Sequence, residues 1–370
     1  MKRLELVTDI GRIVQNARTI RELLPNHPAL LCVVKADAYG HGAIATARSL
    51  QNSGLADAFA VATPSEGEAL VKNGIVKPIV VLGLMSEEAD ADVSVNNGLH
   101  QAIDSPEDAL LLSEAASRAS KTAYVHIKLD TGMRRIGVSN DMELRALLKT
   151  LKTLKNVFVS GLFTHFCAAD EDEDFTLCQL DRFQKMRQIV LDAGFHPVCH
   201  AAASTAMLRG DASFDMVRAG IALYGTGVAA LRGIVQPAQT LKSCIVSLRR
   251  IQKGETVGYS RTFTARRDSV IATIPCGYGD GYPRLLSNRA EVLIGGKRAP
   301  IVGNVCMDML MADVTDIPAA KHDPVVLLGR MGEEIITPDE LARLANTIPY
   351  EIMLGFTGRV TRKSVNTQED

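Results

Sequence analysis

Short apolar runs recur along the first part of the chain, separated by stretches with helical spacing. The runs are Leu31–Val34, Ala58–Ala62, Ile79–Gly83, Leu99–Ile103, Ala123–Leu129, Val157–Phe163, Pro197–Ala201 and Asp215–Val217. They read as short buried strands. Helix starts lie between them. Thr63-Pro64-Ser65-Glu66 supplies an N-cap, a first-turn proline and a capping-box glutamate. Asp104-Ser105-Pro106-Glu107 begins another. Strands alternating with helices predict an α/β fold, an N-terminal (β/α)8 TIM-type barrel. The same pattern also admits a doubly wound sheet. Near Leu231-Arg232-Gly233-Ile234 the pattern changes, and β-branched residues with Gly and Pro turns run to about Leu328. Helical spacing returns at Pro338–Ala345. The predicted division is a barrel over residues 1–232 and a mostly β domain over 233–370.

A barrel places chemistry at the C-terminal ends of its strands. Lys35 follows the first run, Lys128 and Arg135 the fifth, His165 the sixth, Ser204 the seventh and Arg218 the eighth. Packing alone does not readily explain chemically capable residues at five strand ends. Lys35 follows Leu30-Leu31-Cys32-Val33-Val34 and precedes a helix predicted over Ala43–Leu50, with Gly54 as its stop. Burial there would lower the amine's pKa and leave it nucleophilic, as a Schiff-base lysine requires. The alternative is a lysine that snorkels to solvent. Tyr39, with Gly40 and Gly42 beside it, suits a phosphate near the turn.

Composition narrows the classes. A chain of 370 residues, 46% hydrophobic, has two domains as its default. A net charge of −1 gives nucleic acid or an anionic membrane no electrostatic footing as partner. The acidic run Asp170–Asp174 reads as a solvated loop. Seven scattered cysteines without a Cys-x-x-Cys pair fit a reducing cytosol. Neither a signal peptide nor a membrane span is visible, so a cytoplasmic protein is expected.

Several segments admit two readings. Arg135 is either a bidentate fork for a carboxylate or ordinary surface charge. His165 is either a satisfied structural histidine or a flat ring stacked on an aromatic cofactor. His196-Pro197-Val198-Cys199-His200 invites a metal, yet its proline and valine favour a strand. Ala201-Ala202-Ala203-Ser204-Thr205 offers small side chains and hydroxyls that would admit a phosphate.

These stretches together resemble the alanine racemase family over nearly the whole chain. The matching segments are Val33–Gly42, His126–Gly137, Gly161–Phe166, Ala201–Thr205, Met216–Gly225, Glu255–Thr262, Cys276–Pro283, Gly303–Asp308 and Thr347–Glu351. The resemblance implies pyridoxal 5′-phosphate (PLP) held by Lys35, with His165 against its ring and Arg218 at its pyridine nitrogen. It assigns the phosphate to Tyr39, Ser204, Gly220, Ile221 and Tyr350. It gives Arg135 the substrate carboxylate and makes Lys128 a lysine that is often carbamylated and orients Arg135. Tyr278 and Asp308 fall in supporting loops. Three positions depart from the family pattern. Arg134 stands where glycine is common, Ala203 where asparagine is usual, and Arg362-Lys363 replaces an arginine-tyrosine ending.

The implied reaction interconverts L- and D-alanine, supplying D-alanine for peptidoglycan. One base does not easily serve both faces of a planar carbanion. The family pattern gives Lys35 to D-alanine and Tyr259 to L-alanine. An ordinary phenol titrates near about 10. The expected remedy is a hydrogen-bond chain from Tyr259 through His165 to Arg218. A guanidinium offers donors only, so a pyridine nitrogen beside it stays unprotonated. That weakens the ring as an electron sink and disfavours transamination. The family places Tyr259 and Met307 in the site from a partner subunit, which implies a homodimer. The alternatives are a broad-specificity or serine racemase, a non-catalytic PLP carrier, and a structural or binding protein.

Overall fold

The computed structural model describes residues 3–367. Its first strand, β1, is Leu4–Asp9. Eight parallel strands follow: β2 (Ala29–Val33), β3 (Ala58–Val61), β4 (Ile79–Val81), β5 (His100–Ile103), β6 (Ala123–Lys128), β7 (Val157–Phe163), β8 (Val198–His200) and β9 (Met216–Ala219). Each pairs with its successor from β2 to β8, and β9 pairs with β2. Contacts between β8 and β9 close the ring: Asp215 N–H donates to Cys199 O and Arg218 N–H to Ala202 O, both at 3.1 Å. The eight predicted runs are thus the eight strands of a barrel, not of an open sheet.

The strands form because their side chains are buried on both faces. Leu31, Cys32, Phe59, Val80, Val81, Val125 and Ile127 are all fully buried. The barrel interior is not purely apolar. His126, Lys128, His200 and Arg218 are also buried there. Gly161 faces His126 across the β6–β7 pairing, just past a register shift between Val125 and His126. A Cβ on Gly161 would overlap the His126 ring, so glycine leaves room for the imidazole.

The C-terminal part builds a second core. Its main sheet runs Lys297–Pro300, Glu291–Ile294, Pro324–Met331, β10 (Gln239–Cys244), β1 and Thr361–Val365. A three-stranded sheet of Ser247–Ile251, Ser269–Ile274 and Leu310–Asp313 lies beside it. The helix Pro338–Ala345 forms where helical spacing returns. The strand β1 comes first in the chain yet pairs antiparallel with β10 and parallel with Thr361–Val365. Its alternating burial, with Leu4, Leu6 and Thr8 inward, is that of a half-exposed strand. Sequence reading placed these residues with the barrel, because six residues of alternation before a helix give no hint of a partner far along the chain. No helix among the described residues is long and apolar enough to cross a membrane.

Candidate active site

The chain leaves β2 into an unusual turn. The extended segment ends at Val33, and Ala36, Asp37, Ala38 and Tyr39 all have φ between 51° and 54°. Four consecutive left-handed residues cost about 1–2 kcal/mol each. The turn persists because its neighbours hold it. Ala38 N–H donates to Val34 O at 2.9 Å, and Asp37 Oδ1 accepts from Ala43 N–H at 2.7 Å. Gln239 and Arg362 both donate to Gly40 O, at 2.9 and 2.7 Å. Lys35 and Tyr39 thereby sit at the two ends of one turn of fixed shape.

Both side chains line a cavity of about 410 Å³ at the barrel mouth. Lys128, Arg135, His165, Ser204, Arg218, Gly220, Ile221 and Tyr350 line the same cavity. Four cationic side chains therefore meet there, and among the described residues lining it there is no carboxylate. Such a surface selects anions.

Arg218 is the buried centre of the floor. It donates to three carbonyls, of His200, Thr164 and Ala201, at 3.1, 2.9 and 2.7 Å. It also reaches His200 Nδ1 at 2.8 Å and His165 Nδ1 at 3.1 Å. Burial pushes the guanidinium down to about 9, which leaves it charged at neutral pH. Because arginine has no acceptor, both Nδ1 atoms must accept, and each imidazole proton sits on Nε2. His200 Nε2–H then donates to His126 Nδ1 at 3.0 Å. Burial and the Arg218 charge push His165 down to about 3, so its ring is neutral.

The opposite end is a cup of hydroxyls and amides. Ser204 Oγ accepts from Gly220 N–H at 2.9 Å. A Cβ on Gly220 would lie 2.7 Å from the Tyr39 hydroxyl, so glycine keeps this cup open. The Tyr350 and Tyr39 rings lie 5.7 Å apart. Burial raises both phenols, which therefore stay protonated as donors.

The two lysines are set apart by their surroundings. Burial lowers the Lys35 amine, Arg135 and Arg218 lower it further, and Glu66 opposes them. Burial, with Arg218, pushes Lys128 down to about 8, and its Nζ donates to Leu129 O at 2.7 Å. Arg134 has φ of 57°, the left-handed conformation glycine favours, so its substitution strains the loop that carries Arg135.

Four residues singled out in the sequence lie elsewhere. Tyr259 and Met307 are 72% and 53% exposed on the C-terminal domain, outside the cavity of their own chain. Tyr278 N–H donates to Cys306 O, which places its loop beside Met307. Asp308 pairs with Arg359 at 2.6 Å. His200, weighed as a metal ligand, is committed to Arg218 and His126. Sequence reasoning did not find His126 as a support of the site. Its alternation with Lys128 on one strand was the available signal.

Comparison with known proteins places the chain in a family. Residues 8–227 match the family model "Alanine racemase, N-terminal domain", and residues 238–364 match "Alanine racemase, C-terminal domain". An alanine racemase of Symbiobacterium thermophilum is 41% identical over 96% of this chain and 95% of its own. One from Thermodesulfovibrio yellowstonii is 38% identical over 99% of both. The solved alanine racemase of Streptomyces coelicolor A3(2) superposes with a TM-score of 0.93 at 32% identity, covering 99% and 98% of the two chains. That of Bacillus anthracis, described with bound L-Ala-P, gives 0.89 at 32% identity, covering 99% and 96%. The chain belongs to the alanine racemase family.

Proposed function

We propose that this enzyme interconverts L- and D-alanine using PLP bound in the barrel mouth, and so supplies D-alanine for peptidoglycan in the cytoplasm. The observation that carries this reading is the cavity itself. A desolvated lysine amine, a donor-only arginine and a cup of hydroxyls line one space, with no carboxylate among its described lining residues. The donor set fits the group. The Tyr39, Ser204 and Tyr350 hydroxyls and the Ile221 amide suit a phosphate, the Gly220 amide would join them by exchanging Ser204 Oγ for a phosphate oxygen, and the bare Gly220 leaves it room. Lys35 would hold PLP through its amine, His165 would lie against the ring and Arg218 would donate to the ring nitrogen. When bound, PLP withdraws electrons from the amino acid and acidifies its Cα–H.

The chain's own groups do the rest. Arg135 is the fork for the alanine carboxylate, and Lys128, as a carbamate, would turn a cation beside it into an anion that orients it. Lys35 removes or returns a proton on one face of Cα. The other face needs a second base. Tyr259 takes that role from a second copy of the chain, with Met307 beside it. Their exposure, and their place outside the cavity of their own chain, support a homodimer with shared sites. The neutral His165 has its Nε2–H free to meet the phenol, coupling it to the Arg218 charge.

The test is formation of D-alanine from L-alanine by the purified, PLP-loaded protein, with L-serine and L-lysine run alongside. Fast turnover of alanine alone is expected. Comparable turnover of serine or lysine would make it a broad racemase, and bound PLP without turnover would make it a carrier.

A further inference from the structure

The glutamate of Thr63-Pro64-Ser65-Glu66 does not close a capping box. Such a glutamate would return to the N-cap N–H. Thr63 does cap the helix Pro64–Lys72, with its side chain accepting from Glu66 N–H. The Glu66 carboxylate reaches two other donors. Oε2 accepts from Ala62 N–H at 2.7 Å and Oε1 from Ala36 N–H at 2.8 Å. Ala62 directly follows β3, and Ala36 directly follows Lys35. One carboxylate thus ties together the ends of two neighbouring barrel strands. Ala36 is also the first of the four left-handed residues, so Glu66 holds an unfavourable turn at its entrance.

We infer that Glu66 is a positioning residue for Lys35: its carboxylate clamps the entrance of the left-handed turn and offsets the positive charge around the amine. The inference rests on Lys35 being the lysine that holds PLP. The groups facing that amine are cationic or neutral on most sides. Arg135 comes from the loop after β6, Lys128 from β6, Arg218 from β9, and neutral His165 from the end of β7. Asp37, on the same turn, is engaged with Ala43 N–H. Glu66 is the carboxylate whose charge acts on Lys35 in the opposite sense. Without it, the amine loses its proton at lower pH, and the N–H of Ala36 loses an ionised acceptor.

The experiment compares wild type, Glu66→Gln, Glu66→Asp and Lys35→Ala as full-length proteins. It reads PLP affinity, the pH dependence of the visible band of lysine-bound PLP, kcat and KM for alanine, and thermal unfolding. Glu66→Gln keeps the size but removes the charge and sets an NH2 against an N–H. PLP affinity is expected to weaken about tenfold or more, the loss of one charge-assisted hydrogen bond. The pH midpoint of the band is expected to fall by about 0.5–1 unit. Glu66→Asp keeps the charge but is too short to bridge both donors. Its affinity should weaken while its midpoint stays within about 0.3 unit of wild type. Wild-type affinity and midpoint in Glu66→Gln would overturn the inference, as would a lower melting temperature with neither changed. Should Glu66→Gln not fold, wild-type affinity in Glu66→Asp would overturn it. A full visible band in Lys35→Ala would instead overturn the reading of Lys35, which separates the two failures.

Discussion

Replacing Gly161 by alanine should disturb the site from beneath without touching the cavity. The new methyl would overlap the His126 ring. That ring is fully enclosed and hydrogen-bonded to His200, which in turn contacts Arg218. Overpacking of this kind costs about 1–3 kcal/mol. Loss of the buried His126–His200 hydrogen bond adds about 1 kcal/mol. Together they give about 2–4 kcal/mol, and a domain of this size loses about 2–4 °C of Tm per kcal/mol. The assay is a double-mutant cycle with His126→Ala, read by urea unfolding and by racemase activity. Removing the ring removes both the clash and the bond it breaks, so the double mutant should be less destabilised than the sum of the singles by about 2–4 kcal/mol. Additivity within about 0.5 kcal/mol would refute the packing argument.

Other positions give sharper local tests. Ser105 caps the helix Pro106–Ala119 by accepting from Asp108 N–H at 3.2 Å, so Ser105→Ala should cost about 1 kcal/mol in urea unfolding. Arg134→Gly, at φ of 57°, should leave stability within about 0.5 kcal/mol, whereas the β-branched Arg134→Val should lose about 1–2 kcal/mol. Lys128 is lowered from 10.5 to about 8, so the fold binds this proton less tightly than the unfolded chain does. Its contribution to stability should therefore rise with pH between those values, and the gap to Lys128→Met in urea melts should move accordingly. Arg218→Glu would let the ring nitrogen take a proton, so keto-acid release should rise relative to racemisation. An unchanged ratio in a PLP-loaded variant would count against the electronic role of Arg218.

Much of the barrel was readable because parallel strands buried on both faces leave continuous apolar runs. Val157–Phe163 has the same bounds in sequence and structure. The candidate residues at barrel strand ends were readable for a related reason: a polar or charged group at the end of an apolar run is costly and so conspicuous. Lys35, Lys128, His165 and Arg218 all stand out in this way. The left-handed turn from Ala36 to Tyr39 did not, because alanine and tyrosine carry no sign of positive φ and tertiary contacts impose it. Glu66 carries a helix-start signature, but its true partners come from strand ends that local spacing does not bring together. The strand Leu4–Asp9 was missed for the same reason, since its neighbours lie more than two hundred residues away.

The central claim is that two bases, Lys35 and Tyr259, serve opposite faces of the same Cα. Solvent deuterium incorporation at Cα, measured separately from L- and D-alanine in Tyr259→Phe, tests it most directly. The account predicts that exchange from L-alanine is lost far more than exchange from D-alanine, with PLP still bound. Equal loss from both enantiomers would contradict it.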